Sequence, residues 1–280
     1  LAGRPGMGKT AVALSSAVKT AAAGHGVMYF SLEMPTEALG TRVLSDLSWS
    51  HNTSIPYQRG LAGTLSDADA GVWGAAAGKF ASLPFVIDDQ RGLTMAEIGA
   101  RVRAQAQRFE HDGRSLGLVV VDHLGLIKAS GRYAGNKVQE TGEISDALAT
   151  LAKDANVAVV ALHQLNRATE GRDNKRPTLA DLRNSGDIEQ DADVVCFAYR
   201  EAYYLERMKF DAGTGQEYER RDRLDACRST LEVLIGKNRN GPTDTVTLFC
   251  DMACNAVRDA ALPQAEQGVR GKMYAAGERE

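Results

Sequence analysis

Eight residues near the start of the chain, Gly3-Arg4-Pro5-Gly6-Met7-Gly8-Lys9-Thr10, have the types and spacing that hold a polyphosphate. Glycines let a backbone curl until several N–H groups point at phosphate oxygens, and a helix that begins at once presents its positive end to the anion. Lys9 is placed to neutralise the β and γ phosphates, and the Thr10 hydroxyl to ligate Mg2+. The pattern predicts a nucleoside triphosphate bound with Mg2+, but it does not say what the nucleotide is used for.

Further groups fall where strands are read to end. Asp122 closes the apolar run Leu118-Val119-Val120-Val121, where a carboxylate can hold Mg2+ through water. Glu33 follows the apolar run 27–30, and strand ends in such sheets line the ligand crevice. A carboxylate there can orient and deprotonate an attacking water; the competing reading is a helix-start acid ahead of Pro35. Gln164 and His163 stand at the end of the run 157–162. Strand alternation points their side chains oppositely, so one of the two faces the site, and the residues alone favour neither. Lys237 and Arg239 lie just beyond the run 231–235. Two cations two residues apart on an extended hairpin point the same way and can complete a charge clamp on a γ phosphate, against the plainer reading of a solvated basic turn.

The loop 166–189 carries Arg167, Arg172, Lys175, Arg176 and Arg183, with Gly186 for flexibility. That set suits phosphate contacts with single-stranded DNA. It also carries Glu170, Asp173, Asp181 and Asp187, so it is no simple basic patch. It lacks aromatics for base stacking, so DNA held here would be held by its backbone, with weak sequence preference.

The elements that must position these groups alternate. Helices are predicted over 11–23, 35–47, from the Thr94/Glu97 capping box to about 109, and over 139–153. Buried strands are predicted over 27–30, 85–87, 118–121, 157–162, 194–198 and 231–235, with an alternating outer strand over 245–249. Weak signals over 50–80 suggest short helices. The charge-dense stretch 200–229 reads as an insertion, and the tail from 263 as frayed. Strands alternating with helices imply an α/β domain over 1–262 with a mostly parallel sheet covered on both faces. Only Leu1 and Ala2 precede the phosphate loop, which reads as a chain short of its first strand and of anything upstream.

Bulk properties narrow the function. The 280 residues are 44% hydrophobic and 25% charged, ordinary for a globular protein, and the net charge of −3 means that any nucleic-acid contact must be local. Cys196, Cys227, Cys250 and Cys254 form no CxxC pair and read as reduced thiols of a cytoplasmic protein rather than zinc ligands. No apolar run approaches the roughly 20 residues that span a bilayer, so no membrane is expected.

Taken together, the chain resembles the bacterial and phage replicative hexameric helicases of the DnaB type, in their RecA-like ATPase domain. The resemblance rests on the phosphate loop, Phe30-Ser31-Leu32-Glu33-Met34, Val119-Val120-Val121-Asp122-His123-Leu124 and Gln164-Leu165-Asn166-Arg167. It continues in Asp181-Leu182-Arg183-Asn184-Ser185-Gly186-Asp187-Ile188-Glu189-Gln190-Asp191-Ala192-Asp193 and in Ile235-Gly236-Lys237-Asn238-Arg239-Asn240-Gly241-Pro242, all in the family's order. The resemblance implies an ATP-dependent 5′ to 3′ DNA helicase that works as a homohexamer, with ATP and Mg2+ bound and with primase and a helicase loader as partners. It implies Glu33 as the catalytic carboxylate, Asp122 as the magnesium-side acid and Gln164, rather than His163, as the γ-phosphate sensor. Lys237 and Arg239 would reach into the neighbouring subunit's site, and Arg183, Asn184 and Gly186 would grip the DNA backbone. The family's primase-contacting N-terminal domain is not in the sequence.

Three departures stand out. Asn184 occupies a position where the family usually has an acid. His123 and Gly125 stand where it often has tyrosine and glutamine. The stretch 200–229, opening Glu201-Ala202-Tyr203-Tyr204, resembles a subgroup feature. Two rivals stay open at this point: a recombinase-type filament that pairs strands, which a forked-duplex unwinding assay separates from a helicase, and a regulatory ATPase, which DNA-independent hydrolysis would favour.

Overall fold

The computed structural model describes residues 1–166, 170–182, 187–211 and 213–260. Its centre is a run of parallel strands, β2 (Gly26–Ser31), β3 (Phe85–Asp88), β4 (Leu116–Asp122) and β5 (Ala158–Ala161), ordered β3-β2-β4-β5. A second run is ordered β10-β9-β8-β7-β1-β6. It comprises β1 (Ala2–Gly3), β6 (His163–Gln164), β7 (Val194–Tyr199), β8 (Thr230–Asn238), β9 (Thr245–Asp251) and β10 (Ala256–Asp259). The segment 158–164 belongs to both runs: its first half pairs with β4 and its last two residues with β1, so the sheet continues from one run to the next. Ala2 and Gly3 form a short parallel strand between β6 and β7. The strands β8, β9 and β10 are antiparallel to their neighbours.

The unbroken apolar runs in β2 and β4 reflect cover on both faces. Val27, Tyr29, Leu118 and Val120 pack with Leu14 and Val18 of α1 (Lys9–Ala22) and Leu39 and Val43 of α2 (Thr36–Ser48). Their alternates Met28, Phe30, Val119 and Val121 pack with Ile98 and Val102 of α5 (Met95–His111) and Ile144, Leu148 and Leu151 of α6 (Lys137–Asp154). Each strand therefore has one set of side chains in each of two cores, and the strand ends are held at fixed heights. The capping box expected at Thr94 and Glu97 is present.

Two expectations need correction. Within 50–80 lie the short helix α3 (Tyr57–Leu61) and a helix of 15 residues, α4 (Asp67–Ala81), capped reciprocally by Ser66 and Asp69. Only Trp73 and Ala76 of α4 are buried, so its sequence carries almost no apolar stripe for a periodicity argument to find. Pro35 is the N-cap of α2, one residue before the helix proper. The loop after β6 holds a 3-10 turn, Leu179–Leu182, and the short α7 (Ile188–Asp191). The stretch 200–229 contains α8 (Glu201–Leu205) and α9 (Gly215–Cys227). The tail from 263 lies outside the described residues.

Candidate nucleotide site

The phosphate loop joins β1 to α1. Gly6 and Gly8 have φ of 81° and 88°, the left-handed region that lets the loop reverse direction, and Gly8 is the N-cap of α1. Met7 is buried and anchors the loop. Gly3 passes so close to β7 that a Cβ there would lie 2.9 Å from the Ala198 carbonyl. Arg4, beside Pro5 and largely buried, donates to the Leu165 carbonyl at 2.9 Å and pairs with Glu170 at 2.7 Å, tying the loop to the segment after β6.

Lys9 and Thr10 open α1. The Lys9 ammonium donates to the Gly3 and Arg4 carbonyls at 2.9 and 3.1 Å, and burial pulls its pKa below the ordinary lysine value. The Thr10 hydroxyl donates to Asp122 Oδ2 at 2.8 Å. Asp122 ends β4 and is 6% exposed; the buried Tyr29 hydroxyl donates to the same oxygen at 3.0 Å. Burial raises the Asp122 pKa against the pull of those two hydroxyls, and raises Tyr29 well above its usual value. A hydroxyl and a carboxylate 2.8 Å apart, with a second hydroxyl behind the carboxylate, are the hard oxygen donors that fit Mg2+.

Register carries Glu33 to the same edge. Ser31 of β2 pairs with Asp122 of β4, and Leu32 N–H donates to the Asp122 carbonyl at 2.9 Å, so Glu33 emerges just past the magnesium-side acid. Its side chain is two-thirds exposed, and Glu33 Oε2 lies 3.9 Å from His123 Nε2. On the other side Gln164 pairs with Gly3, and Leu165 N–H donates to the Gly3 carbonyl at 3.2 Å. Gln164 is exposed at the edge of the loop, whereas His163 lines a 640 Å3 cleft together with Leu1, Leu148 and Val195. Burial lowers the His163 pKa to about 4.

Lys237 and Arg239 are not part of this cluster. Both donate to the Gln190 carbonyl, at 3.2 and 2.6 Å, and so converge as the hairpin spacing predicts. Arg239 also pairs with Asp193 at 2.9 Å, and Lys237 donates to the Glu189 carbonyl at 2.6 Å. They sit at the opposite edge of the sheet from the phosphate loop, because β8 runs antiparallel to β7 and ends where β7 begins.

Of the loop cations, Arg172 is paired with Asp181 at 2.7 Å and Arg176 with Glu232 at 2.7 Å, so neither is a free phosphate ligand. Arg167, Arg183, Asn184 and Gly186 lie outside the described residues.

Three features escaped the sequence. Tyr29 stands behind Asp122; it follows from strand alternation only once β2 and β4 are known to be neighbours. Tyr203 of α8 packs its ring on the loop: a Cβ on Gly6 would meet Tyr203 Cε2 at 2.4 Å. Arg207 stacks on that ring, its guanidinium carbon 3.5 Å from the centroid. The stretch 200–229 therefore folds back onto the phosphate loop rather than standing away from it.

Residues 1–259 match the family described as DnaB-like helicase C terminal domain. A replicative DNA helicase DnaB of Rickettsia typhi is 39% identical over 262 residues, covering 90% of this chain and 50% of that protein. One of Pasteurella multocida is 40% identical over 250 residues, covering 89% and 48%. The chain thus spans about half the length of the curated relatives it matches. Among solved structures, the ATPase domain of G40P superposes with a TM-score of 0.78 at 30% identity, covering 92% of this chain and 83% of that one. A DnaB-like replicative helicase, described with its interactions with primase, superposes with a TM-score of 0.77 at 30% identity, covering 92% and 56%.

Proposed function

The chain belongs to the family of DnaB-like helicase C-terminal domains, and from that premise we propose that it is an ATP-hydrolysing motor. It moves 5′ to 3′ along single-stranded DNA and unwinds duplex at a replication fork, as a cytoplasmic ring of six copies served by primase and a loader. The observation that carries the motor reading is the convergence of Lys9, Thr10 and Asp122 at the mouth of the phosphate loop, with Thr10 and Asp122 2.8 Å apart.

Lys9 and the loop N–H groups bind the triphosphate. Thr10 and Asp122 would hold Mg2+, which when bound supplies charge neutralisation on the phosphate oxygens. Glu33 orients a water against the γ phosphorus and takes its proton as the new P–O bond forms and the bond to the β-phosphate oxygen breaks. Lys237 and Arg239 of a second copy stabilise the charge that develops. Gln164, beside Gly3, senses the γ phosphate. Arg4, bridging the loop to Leu165 and Glu170, gives the change a route to the segment that carries Arg183, Asn184 and Gly186. Those three hold the DNA backbone.

The test is paired: ATP hydrolysis with and without single-stranded DNA, and unwinding of a forked duplex by strand displacement. DNA-stimulated hydrolysis with unwinding, both abolished by Lys9→Ala, is expected. Hydrolysis indifferent to DNA with no unwinding would point instead to a regulatory ATPase, and strand pairing without separation to a recombinase.

A further inference from the structure

His123 and Gly125 lie side by side just past Asp122, where the backbone of Gly125 leaves no room between itself and the imidazole. His123 directly follows Asp122, at the end of β4. Its carbonyl accepts from Leu126 N–H at 3.0 Å, and the next residue, Leu124, donates to the Leu162 carbonyl at 3.0 Å, so the backbone carrying the imidazole is fixed on both sides. The ring is only 19% exposed. Its Nε2 edge faces the Glu33 carboxylate at 3.9 Å. The adjoining Nδ1–Cε1 edge faces Gly125: a Cβ on that residue would lie 3.1 Å from Cε1 and 3.2 Å from Nδ1. Glu33 is otherwise held through its backbone, its carbonyl accepting from Arg91 at 3.0 Å, and among the described residues His123 is the one basic side chain paired with its carboxylate.

We propose that His123 is a positioning residue for Glu33, restraining the carboxylate through Nε2–H, and that a side chain at Gly125 crowds the imidazole and shifts it by a few tenths of an ångström from that line. The inference rests on the reading of Glu33 as the residue that orients water. The register of β2 with β4 brings the backbones of Glu33 and His123 to the same corner. A contact of 3.9 Å is long for a hydrogen bond, and catalytic hydrogen bonds commonly shorten only in the substrate complex. A restrained carboxylate matters because misplacing a reacting group by about 1 Å costs on the order of 100-fold in rate.

The experiment is steady-state ATP hydrolysis by the full chain, with nucleotide affinity followed in parallel by a fluorescent ATP analogue. His123→Ala is expected to lower kcat about 10-fold with KM and analogue affinity within about two-fold of the parent. His123→Gln, which returns an N–H donor near the Nε2 position, is expected to recover most of that loss. Gly125→Ala is expected to lower kcat a few-fold alone and to have no effect in the His123→Ala background. An unchanged kcat in His123→Ala, no advantage of Gln over Ala, or a Gly125→Ala effect of equal size in both backgrounds would each overturn the inference. Glu33→Gln separates the two levels. If it leaves turnover near that of the parent, the assignment of Glu33 fails and this inference with it; if it abolishes turnover while His123→Ala does not reduce it, only the role of His123 fails.

Discussion

Removing Arg239 from one copy and Lys9 from another tests whether the site is shared. Within one chain Arg239 cannot reach its own phosphate loop. Arg239 N–H donates to the Asp193 carbonyl at 3.0 Å, just before β7, while the loop leaves the sheet beside Ala198. Five residues of extended strand separate those points by about 17 Å, and the guanidinium is turned back onto Asp193 and Gln190. Arg239→Ala should therefore lower hydrolysis by about 10³-fold or more, the scale of a lost arginine finger, while Lys9→Ala abolishes it. Mixed in equal amounts before assembly, half of the protomers keep Lys9, and half of those are followed by a neighbour that keeps Arg239. About one interface in four is then whole, and the mixture should recover roughly a quarter of the parent's rate, since each site is made by two copies head to tail. The assay is phosphate release against mixing ratio, with co-assembly checked by sedimentation. No recovery above either variant alone, in mixtures shown to co-assemble, refutes the shared site.

Three further outcomes follow from the geometry. Gly6→Ala places a side chain at a φ of 81° and 2.4 Å from Tyr203, so fluorescent-nucleotide affinity should fall at least about 10-fold; unchanged affinity would show that the loop and α8 move apart freely. Asp122→Asn should abolish turnover yet raise the melting temperature of the nucleotide-free protein. Burial raises the native pKa of Asp122, so its ionised form is a cost that grows as pH rises through the carboxylate range; a lower melting temperature would mean the hydroxyl bonds of Thr10 and Tyr29 outweigh that cost. His163, lowered from 6.5 to about 4, has the opposite sign: the native state resists the proton that the unfolded chain accepts. Stability should be lost as pH falls from 6.5 towards 4, by about 2 kcal/mol at pH 5, and urea titrations of His163→Gln at pH 7 and pH 5 should show a smaller difference.

Much of this site could be read from one-dimensional pattern, and the parts that could not have a common cause. The phosphate loop, Asp122 and Glu33 are marked locally, by glycines before a helix and by acids that end apolar runs, and the structure brings them to one edge. The residues alone left Gln164 and His163 open and the resemblance favoured Gln164; in the structure Gln164 pairs with Gly3 and is exposed, whereas His163 lines the cleft. Tyr29 behind Asp122, Arg4 on Glu170 and Arg176 on Glu232 are contacts between residues 56 or more positions apart, and no local spacing signals them. In the loop 166–189 the acids named beside the cations did signal pairing, as Arg172 with Asp181 shows, whereas Glu232, the partner of Arg176, lies far outside the loop. Helix α4 was hard to read for a different reason: only Trp73 and Ala76 of its side chains are buried, with Phe80 partly so, and capping rather than periodicity is its signal.

The direction of the strands bears on the proposal that the site is completed by a second copy. Parallel strands place all their C-terminal ends at one edge, and that edge carries Gly3, Asp122, Glu33 and Gln164. The strand β8 pairs antiparallel with β7, so the residues that end it, Lys237 and Asn238 with Arg239 after them, must emerge at the other edge. The nucleotide-binding groups and the proposed charge-clamp groups are thereby separated by the length of the strands within one copy. A surface that offers cations at one edge and accepts them at the other is complementary to a different patch of an identical molecule, and contacts of that kind propagate head to tail until they close into a ring or run on as a helix. The hydrogen bonds that hold Lys237 and Arg239 on Glu189, Gln190 and Asp193 also place them against α7, the first element after the Arg183–Gly186 stretch. In the proposed assembly, the cations that enter a neighbour's site would belong to the same local unit as α7, which directly follows the segment proposed to hold DNA, and that continuity is the route we propose for coupling one site to the DNA contact of the next copy.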